Sequence, residues 1–454
     1  MKVLSKSVRI TLFFDFCVLL LSSIYWFSLA QLSIKFQIFS VSLVVLTGLV
    51  TLALKSNYII REFNNTKKNL YLLFEGIVFA HIPAFILFCI FSRNINCFKF
   101  LLFNLLTIFI LLKLYRMIFH FYLFNIKKHK KVLILGVNEN AKLIADEIIN
   151  KKALMMDVSA FLADEDFSCI DCSKFKVYQQ GSDIGQIIKA HNIDIVIVAI
   201  HKRMPEAFLT EIVGNVPKKV KLFKMAHFYE LITGKYFVDK MSINWLFYEY
   251  MNRRSFVYDI LKRAYDIIAA TIIFIVTFPI LLYIGIRVKM ADGGSPIYTQ
   301  TRVGRNGKTF KMYKLRTMYL NDYVPKQGQI EHTDGQDNDN RVIPFCKFVR
   351  KARFDEIPQM INIIKGEMSI VGPRTEWEDL VKIYTKEVPY YACRQWVKTG
   401  WTGWAQINQG HCVLSDDIAE KLQYDLYYLK HRNIFWEIGI LIKAVFLALG
   451  GRHG

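Results

Sequence analysis

Two acids stand side by side at Asp355 and Glu356, within KARFDEIPQMINIIKGEMSIVGPRTE (351–376). Lys351 and Arg353 precede them; Lys365 and Arg374 follow. Adjacent carboxylates repel one another and call for a counter-charge, which a divalent cation supplies. Pro358 suits the first turn of a helix and Gly366 its end, so the pair falls at or just before a helix N-terminus. Two chemistries fit that placement. Asp355 is a helix N-cap worth about 1 kcal/mol, or the pair works beside an anion held by free N–H groups at the positive end of the helix dipole. Arg302, Arg316, Arg341, Arg353 and Arg374 would serve the second with bidentate phosphate contacts.

The elements around the pair are legible as patterns. QTRVGRNGKTFKMYKLRTM (300–318) predicts a hairpin turning at Asn306-Gly307. Residues 321–340, rich in Asp, Asn, Gln and Gly, predict a loop. PFCKFVRKARF then predicts an amphipathic helix leading into the acid pair. WVKTGWTGWAQINQG (396–410) is a glycine-rich aromatic loop. The apolar run 434–450 is interrupted by Glu437 and Lys443 and predicts a helix lying at a membrane interface.

Upstream, four apolar segments at 10–30, 36–54, 70–92 and 98–122 approach the ~20 residues that cross a bilayer. Asp15, Glu75 and His81 lie inside them and are read as structural. Lysine and arginine cluster at residues 2–9, 55–68 and 127–131, which sets both ends of this bundle in the cytoplasm. Next, KVLILGVNENAKLIADEIIN (131–150), FLADED (161–166) and IDIVIVAI (193–200) predict buried strands alternating with helices, a doubly wound α/β module. Gly136 stands at the first glycine of a dinucleotide fingerprint, but Asn138 and Ala141 replace the later ones, against pyrophosphate binding. A fifth apolar stretch, 265–288, is flanked at both ends by bases (Lys262 and Arg263; Arg287 and Lys289) and broken by Pro279. A bent helix that enters one leaflet and returns satisfies both facts, and its basic flank suits a lipid phosphate.

The whole chain has 454 residues, is 53% hydrophobic and carries a net charge of +21, which together describe a membrane protein that meets anions. With no basic low-complexity tail, nucleic acid is not an expected partner. Cys169 and Cys172 form a C-x-x-C without further ligands nearby and are read as free thiols. The first apolar run is too long for a cleavable signal peptide.

Six pieces recur in an order that resembles the bacterial sugar transferase family, the polyprenyl-phosphate hexose-1-phosphate transferases. They are LKRAYD ahead of the Pro-broken helix, QTRVGRNGKTF, YKLRTM, RKARFDEIPQMINIIKGEMSIVGPR, TGWAQIN and YDLYYLK. The resemblance implies a long-form member. Its parts would be a four-helix transmembrane bundle (1–125), a degenerate Rossmann-like α/β module (126–250) and a monotopic, mostly α catalytic domain (251–454). That domain would carry the re-entrant helix 265–288 and a small β-hairpin. It implies transfer of a sugar 1-phosphate from a UDP-sugar to undecaprenyl phosphate at the bacterial inner membrane, with release of UMP, as the first membrane step of exopolysaccharide, capsule or O-antigen assembly. Asp355 would be the nucleophile and Glu356 the residue associated with Mg²⁺. Arg302, Lys314, Arg316, Arg341, Arg353, Pro373 and Arg374 would bind substrate, and Lys262, Arg263 and Pro279 would face lipid phosphate and the membrane surface. The sequence departs from the family pattern at Thr375 (GPRT for GPRP), at Thr399 with Trp401 in TGWTGWAQ, and at Phe278 before Pro279. The module leaves room for a homodimer. Competing readings are a membrane-tethered nucleotide-sugar dehydratase, for which Tyr236 and Lys240 have a Tyr-x-x-x-Lys spacing, and a non-catalytic assembly scaffold. Glucose and galactose are the favoured sugars.

Overall fold

The computed structural model describes residues 2–29, 33–54, 66–91, 95–121, 129–151, 154–163, 175–179, 181–200, 214–238, 256–319, 341–409 and 415–449. Cys169, Cys172, Lys240 and the predicted loop 321–340 lie outside them, as does the side chain of Glu75. The chain divides into two compact units, Met1–Ile232 and Thr233–Gly454.

The first unit begins with four apolar helices: α1 (Lys2–Leu29), α2 (Ile34–Leu54), α3 (Thr66–Phe91) and α4 (Ile95–Phe121). Leu19, Phe27, Val44, Leu52, Ile77 and Leu112 form their common core. By length and composition, the Phe98–Ile118 stretch of α4 can cross a membrane; α1–α3 hold shorter apolar stretches. Two ionisable residues of these helices face inward. Asp15 is fully buried and pairs with Arg116 at 2.5 Å, and buried His81 bonds the Ile77 carbonyl at 2.8 Å. That is the structural role the sequence suggests for both.

A parallel five-stranded sheet follows, ordered β3-β2-β1-β4-β5. Its strands are β1 (Lys130–Leu135), β2 (Met156–Leu162), β3 (Lys176–Tyr178), β4 (Ile195–Val198) and β5 (Lys221–Lys224), with α5 (Glu139–Asn150), α6 (Ile184–His191) and α7 (Met225–Thr233) between and after them. The near-continuous apolar runs in β1 and β4 reflect burial on both faces. Strand order reverses between β1 and β4, the place where such sheets open a crevice for ligands. Asn138 occupies that place. Its side chain caps α5 by accepting from the Ala141 amide at 3.0 Å and donates to the Ala199 carbonyl at 2.8 Å. It thereby ties the ends of β1 and β4 together where a pyrophosphate would need bare backbone.

The second unit is organised on α8 (Phe256–Asp292), a helix long and apolar enough to cross a membrane and containing Pro279. Both of its flanks are seated on this unit. At the N-terminal flank Lys262 bridges Asp266 and Glu437, each at 2.8 Å, and Asp266 accepts from Ser369 Oγ and the Ile370 amide at 3.0 Å. Arg263 donates to the Ile363 and Ile364 carbonyls, both at 2.6 Å. At the other flank Leu281, Ile284 and Val288 enter the core, and Asp292 pairs with Arg316. Residues 271–280, between the flanks, contain no buried residue.

The remaining elements are β6 (Ile297–Val303), β7 (Thr309–Leu315), α9 (Cys346–Lys351), α10 (Gln359–Lys365), β8 (Ser369–Val371), α11 (Glu378–Glu387), β9 (Gly400–Thr402), α12 (Trp404–Asn408), α13 (Ser415–His431) and α14 (Ile434–Leu449). β6 and β7 form the predicted antiparallel hairpin, from Ile297↔Leu315 to Val303↔Thr309. Asn306 and Gly307 adopt the positive φ values that its turn needs (56° and 75°). β8 and β9 pair in parallel. Met360, Ile363, Met368 and Ile370 lie in the core that α8 shares. Glu437 of α14 is fully buried and accepts from Tyr258 and Tyr428 at 2.5 and 2.8 Å, so this interruption of the apolar run points into the unit.

Candidate active site

The acid pair lies on a single 3-10 turn, Phe354–Glu356, between α9 and α10. The turn exists because Arg353 takes a left-handed backbone conformation, with φ at 56°. Such a conformation costs a non-glycine residue about 1–2 kcal/mol. It reverses the chain sharply after α9. Gly366 ends α10 at φ 90°, as its type and position predict. The N-cap of α10 is Pro358, with no side-chain capping bond, so neither acid caps that helix.

Glu356 is buried and ringed by cations. Lys314 Nζ from β7 and Arg374 Nη2 from the loop after β8 each stand 3.5 Å from its Oε1, and Arg353 Nη1 is 3.7 Å from its Oε2. Burial alone would raise the Glu356 pKa. Lys314, then Arg374 and Arg353, outweigh it and hold the carboxyl down at about 2. Asp355 keeps a share of solvent contact. Its pKa is pushed up to about 7, first by burial and then by the Glu356 charge, with Lys314 and Arg350 opposing. One acid is therefore held ionised as a fixed anion while its neighbour titrates near neutrality, a division of labour seen where environments pull two carboxylates apart.

The loop carrying Arg374 is built on close backbone contacts. Gly372 N donates to the Thr402 carbonyl at 2.9 Å, and Gly400 N to the Pro373 carbonyl at 2.8 Å. Glu376 in turn accepts through its carbonyl from Val303 N at 3.1 Å, which ties this loop to the hairpin.

Of the residues that the sequence singles out, Asp355, Glu356, Lys314, Arg353 and Arg374 come together, with Pro373 in the backbone that carries Arg374. The others have different surroundings. Arg316 is spent on Asp292, with bonds of 2.5 and 3.0 Å that tie the end of β7 to the end of α8. Arg302 bonds Gln300 at 2.7 Å and lies 5.2 Å over the Trp377 ring. The Arg341 carbonyl accepts from Tyr319 N at 3.0 Å. Lys262 is held between two carboxylates, Arg263 caps the C-terminal end of α10, and Pro279 is exposed in the middle of α8. Arg350, whose charge acts on Asp355, is not prominent in the sequence; its signal is its place five residues before the acid, in the last turn of α9.

A family model described as bacterial sugar transferase matches residues 257–451, which contain every residue of this site. Three relatives extend the comparison. The chain is 32% identical to a UDP-N-acetylgalactosamine-undecaprenyl-phosphate N-acetylgalactosaminephosphotransferase of Aeromonas hydrophila, over 51% of this chain and 53% of that one. It is 28% identical to an undecaprenyl-phosphate galactose phosphotransferase of Salmonella typhimurium, over 70% and 68%. With a UDP-glucose:undecaprenyl-phosphate glucose-1-phosphate transferase of Caulobacter vibrioides it shares 30% identity, over 41% of this chain and 69% of that relative. The chain belongs to the bacterial sugar transferase family. It spans about half the length of the Aeromonas relative and about two thirds of the other two.

Proposed function

We propose that this protein transfers a sugar 1-phosphate from a UDP-sugar to undecaprenyl phosphate, releasing UMP. The observation that carries this reading is the half-buried Asp355 beside a buried, cation-ringed Glu356, inside the segment that matches the family. An Asp355 oxygen attacks the β-phosphorus, and the bond from that phosphorus to the bridging oxygen breaks. UMP departs with the bridging oxygen, leaving the sugar phosphate as an acyl phosphate on Asp355. An oxygen of the polyprenyl phosphate then attacks the same phosphorus, and the Asp355 carboxylate is regenerated. Division into two displacements is the advantage of a covalent step. Lys314, Arg353 and Arg374 neutralise the incoming diphosphate, without which one anion could not approach another.

Mg²⁺ fits the donor set. No group of three or more His, Cys, Asp or Glu gathers among the described residues. Mg²⁺ is commonly held by one or two carboxylates with substrate phosphates completing its shell. Glu356 would hold it beside the substrate phosphates, and it would supply Lewis-acid stabilisation of the diphosphate.

The architecture follows the same reading, with a four-span bundle at 1–125, a Rossmann-like module at 126–250 and a catalytic domain at 251–454. The bundle would sit in the bacterial inner membrane with both following domains cytoplasmic, and the module would pair in a homodimer. α8 is read as re-entrant, because both flanks are tied to one unit while 271–280 contains no buried residue. Its basic flank would lie near lipid phosphate. Asn138 across the sheet crevice weighs against a dehydratase.

The test is UMP release by the purified protein in nanodiscs with Mg²⁺ and undecaprenyl phosphate, across UDP-glucose, UDP-galactose and their N-acetylated forms. Release with one donor, lost in Asp355→Asn, is the expected result. Release that persists in Asp355→Asn would remove the covalent step, and silence with every donor would favour a scaffold.

A further inference from the structure

We propose that Arg394, locked by Asp425, is the positioning residue that sets Arg374 against Glu356. The inference rests on reading Arg374 as a donor-phosphate ligand, and it concerns residues outside the acid pair and its ring of cations.

Arg374 projects from a short loop, and its carbonyl oxygen accepts from Arg394 Nη2 at 3.0 Å. Arg394 itself is 4% exposed and Asp425 is 1% exposed. The guanidinium edge meets Asp425 Oδ2 twice, from Nε at 3.1 Å and from Nη2 at 2.8 Å. Nη1 bonds the Tyr391 hydroxyl and lies 3.6 Å from Glu376 Oε1, and the guanidinium also stacks on the Tyr391 ring at 4.9 Å. Glu376 is completed by an ion pair with Lys421 of α13.

Two cations and two carboxylates thus form a balanced quartet, Arg394 and Lys421 with Glu376 and Asp425, in which Arg394 and Asp425 are buried and the other two are half-buried. It reaches from α13 to the chain at and just after Arg374, since Arg394 grips the carbonyl of residue 374 and Glu376 lies two residues on. Buried charges of this kind add little net stability but fix geometry strongly, because each member is costly to leave unpaired. Here the geometry fixed is the origin of the Arg374 side chain, whose guanidinium must reach Glu356 and the donor phosphates together. Only a planar fork serves Asp425, Tyr391 and a carbonyl at once. A lysine keeps the charge but not the fork. The sequence conceals this arrangement, since Arg394 and Asp425 are 31 residues apart and neither is near the acid pair.

Two readouts test the proposal. Hydrogen exchange of Arg394→Lys is expected to speed the amides of 372–376 and 400–402 while those of Gln359–Lys365 keep their protection. Unchanged exchange in 372–376 would overturn it. Kinetics of UMP release then form a cycle with Arg374→Ala. Alone, Arg394→Lys is expected to lower kcat/KM by about ten- to a hundredfold. In the Arg374→Ala background that loss should vanish, whereas losses that multiply would show that Arg394 does not act through Arg374 and would overturn it. If Arg394→Lys does not fold, Tyr391→Phe keeps all four charges and takes its place in both experiments, with a smaller loss expected. Absence of UMP release from the unmodified protein would count against the proposed reaction, while the exchange result would still decide the Arg394 inference.

Discussion

Gly400 and Gly372 approach so closely that a Cβ on Gly400 would stand 2.6 Å from the Gly372 carbonyl oxygen. Backbone cannot yield as a flexible side chain can. Gly400→Ala should therefore push β9 from β8 and displace the loop that carries Arg374. We expect a cost of about 3 kcal/mol or more, visible as a lowered Tm of the solubilised protein. Gly439, inside α14, where a Cβ would meet nothing within 4 Å, supplies the control, and Gly439→Ala should leave Tm unchanged or slightly raised.

In the proposed reaction Asp355 attacks only as the carboxylate. With its pKa near 7, UMP release should rise with pH along an acid limb centred there. At pH 6 the rate should be roughly tenfold below its plateau. Raising the Mg²⁺ concentration should move the limb to lower pH. A limb at the ordinary carboxylate position, measured at low Mg²⁺, would mean that neither burial nor the neighbouring Glu356 charge raises Asp355.

The same shift links the proposed nucleophile to stability. The folded chain holds a proton on Asp355 between about pH 4 and 7 that the unfolded chain has lost, so this group's contribution falls as pH rises through that window. Asp355→Asn should be more stable than the parent at pH 8, by on the order of 2 kcal/mol, and no more stable at pH 4. Glu356 works in the opposite sense. Its lowered pKa contributes stability above its unfolded value, and this is lost as pH falls toward about 2. Thermal unfolding across pH, measured on both proteins, checks the sign.

If α8 enters and leaves by one face, its two ends share a compartment. Val257 and Met290 are 63% and 77% exposed and suit single-cysteine labelling. In a background without native cysteines, Val257→Cys and Met290→Cys should both react with a membrane-impermeant maleimide only in inside-out vesicles. Labelling of the two from opposite sides would make α8 a span.

Short-range features of the fold were legible because local chemistry decides them. Asn306-Gly307 announces the hairpin through its tolerance of positive φ, and Gly366 announces the end of α10 for the same reason. The apolar runs of β1 and β4 announce strands buried on both faces. The acid pair and its nearest bases were equally plain, since charge density in 351–376 is visible in one line of text. What escaped were pairings across long sequence distance. Arg316 reads from sequence as a phosphate ligand, and its pairing with Asp292, 24 residues earlier, is visible only in the fold. Lys262 and Arg263 read as a basic flank, yet Lys262 serves Asp266 and Glu437 while Arg263 serves two carbonyls of α10. The left-handed turn at Arg353 has no signal in its residue type, because arginine has no preference for that conformation. Tertiary packing imposes it.

The seating of both flanks of α8 on one unit has a mechanical consequence. If α8 is re-entrant as proposed, the height of the carboxylate pair above the hydrocarbon would be a dimension of the protein, like the draught of a hull, and would not follow the thickness of the bilayer. The proposed lipid acceptor would then need only to drift sideways to reach it and would never have to leave its leaflet. Encounter is then two-dimensional, and turnover should follow the number of acceptors per unit area of membrane. Diluting the vesicles at fixed lipid composition should leave the rate per enzyme unchanged, whereas diluting the acceptor within the membrane should slow it.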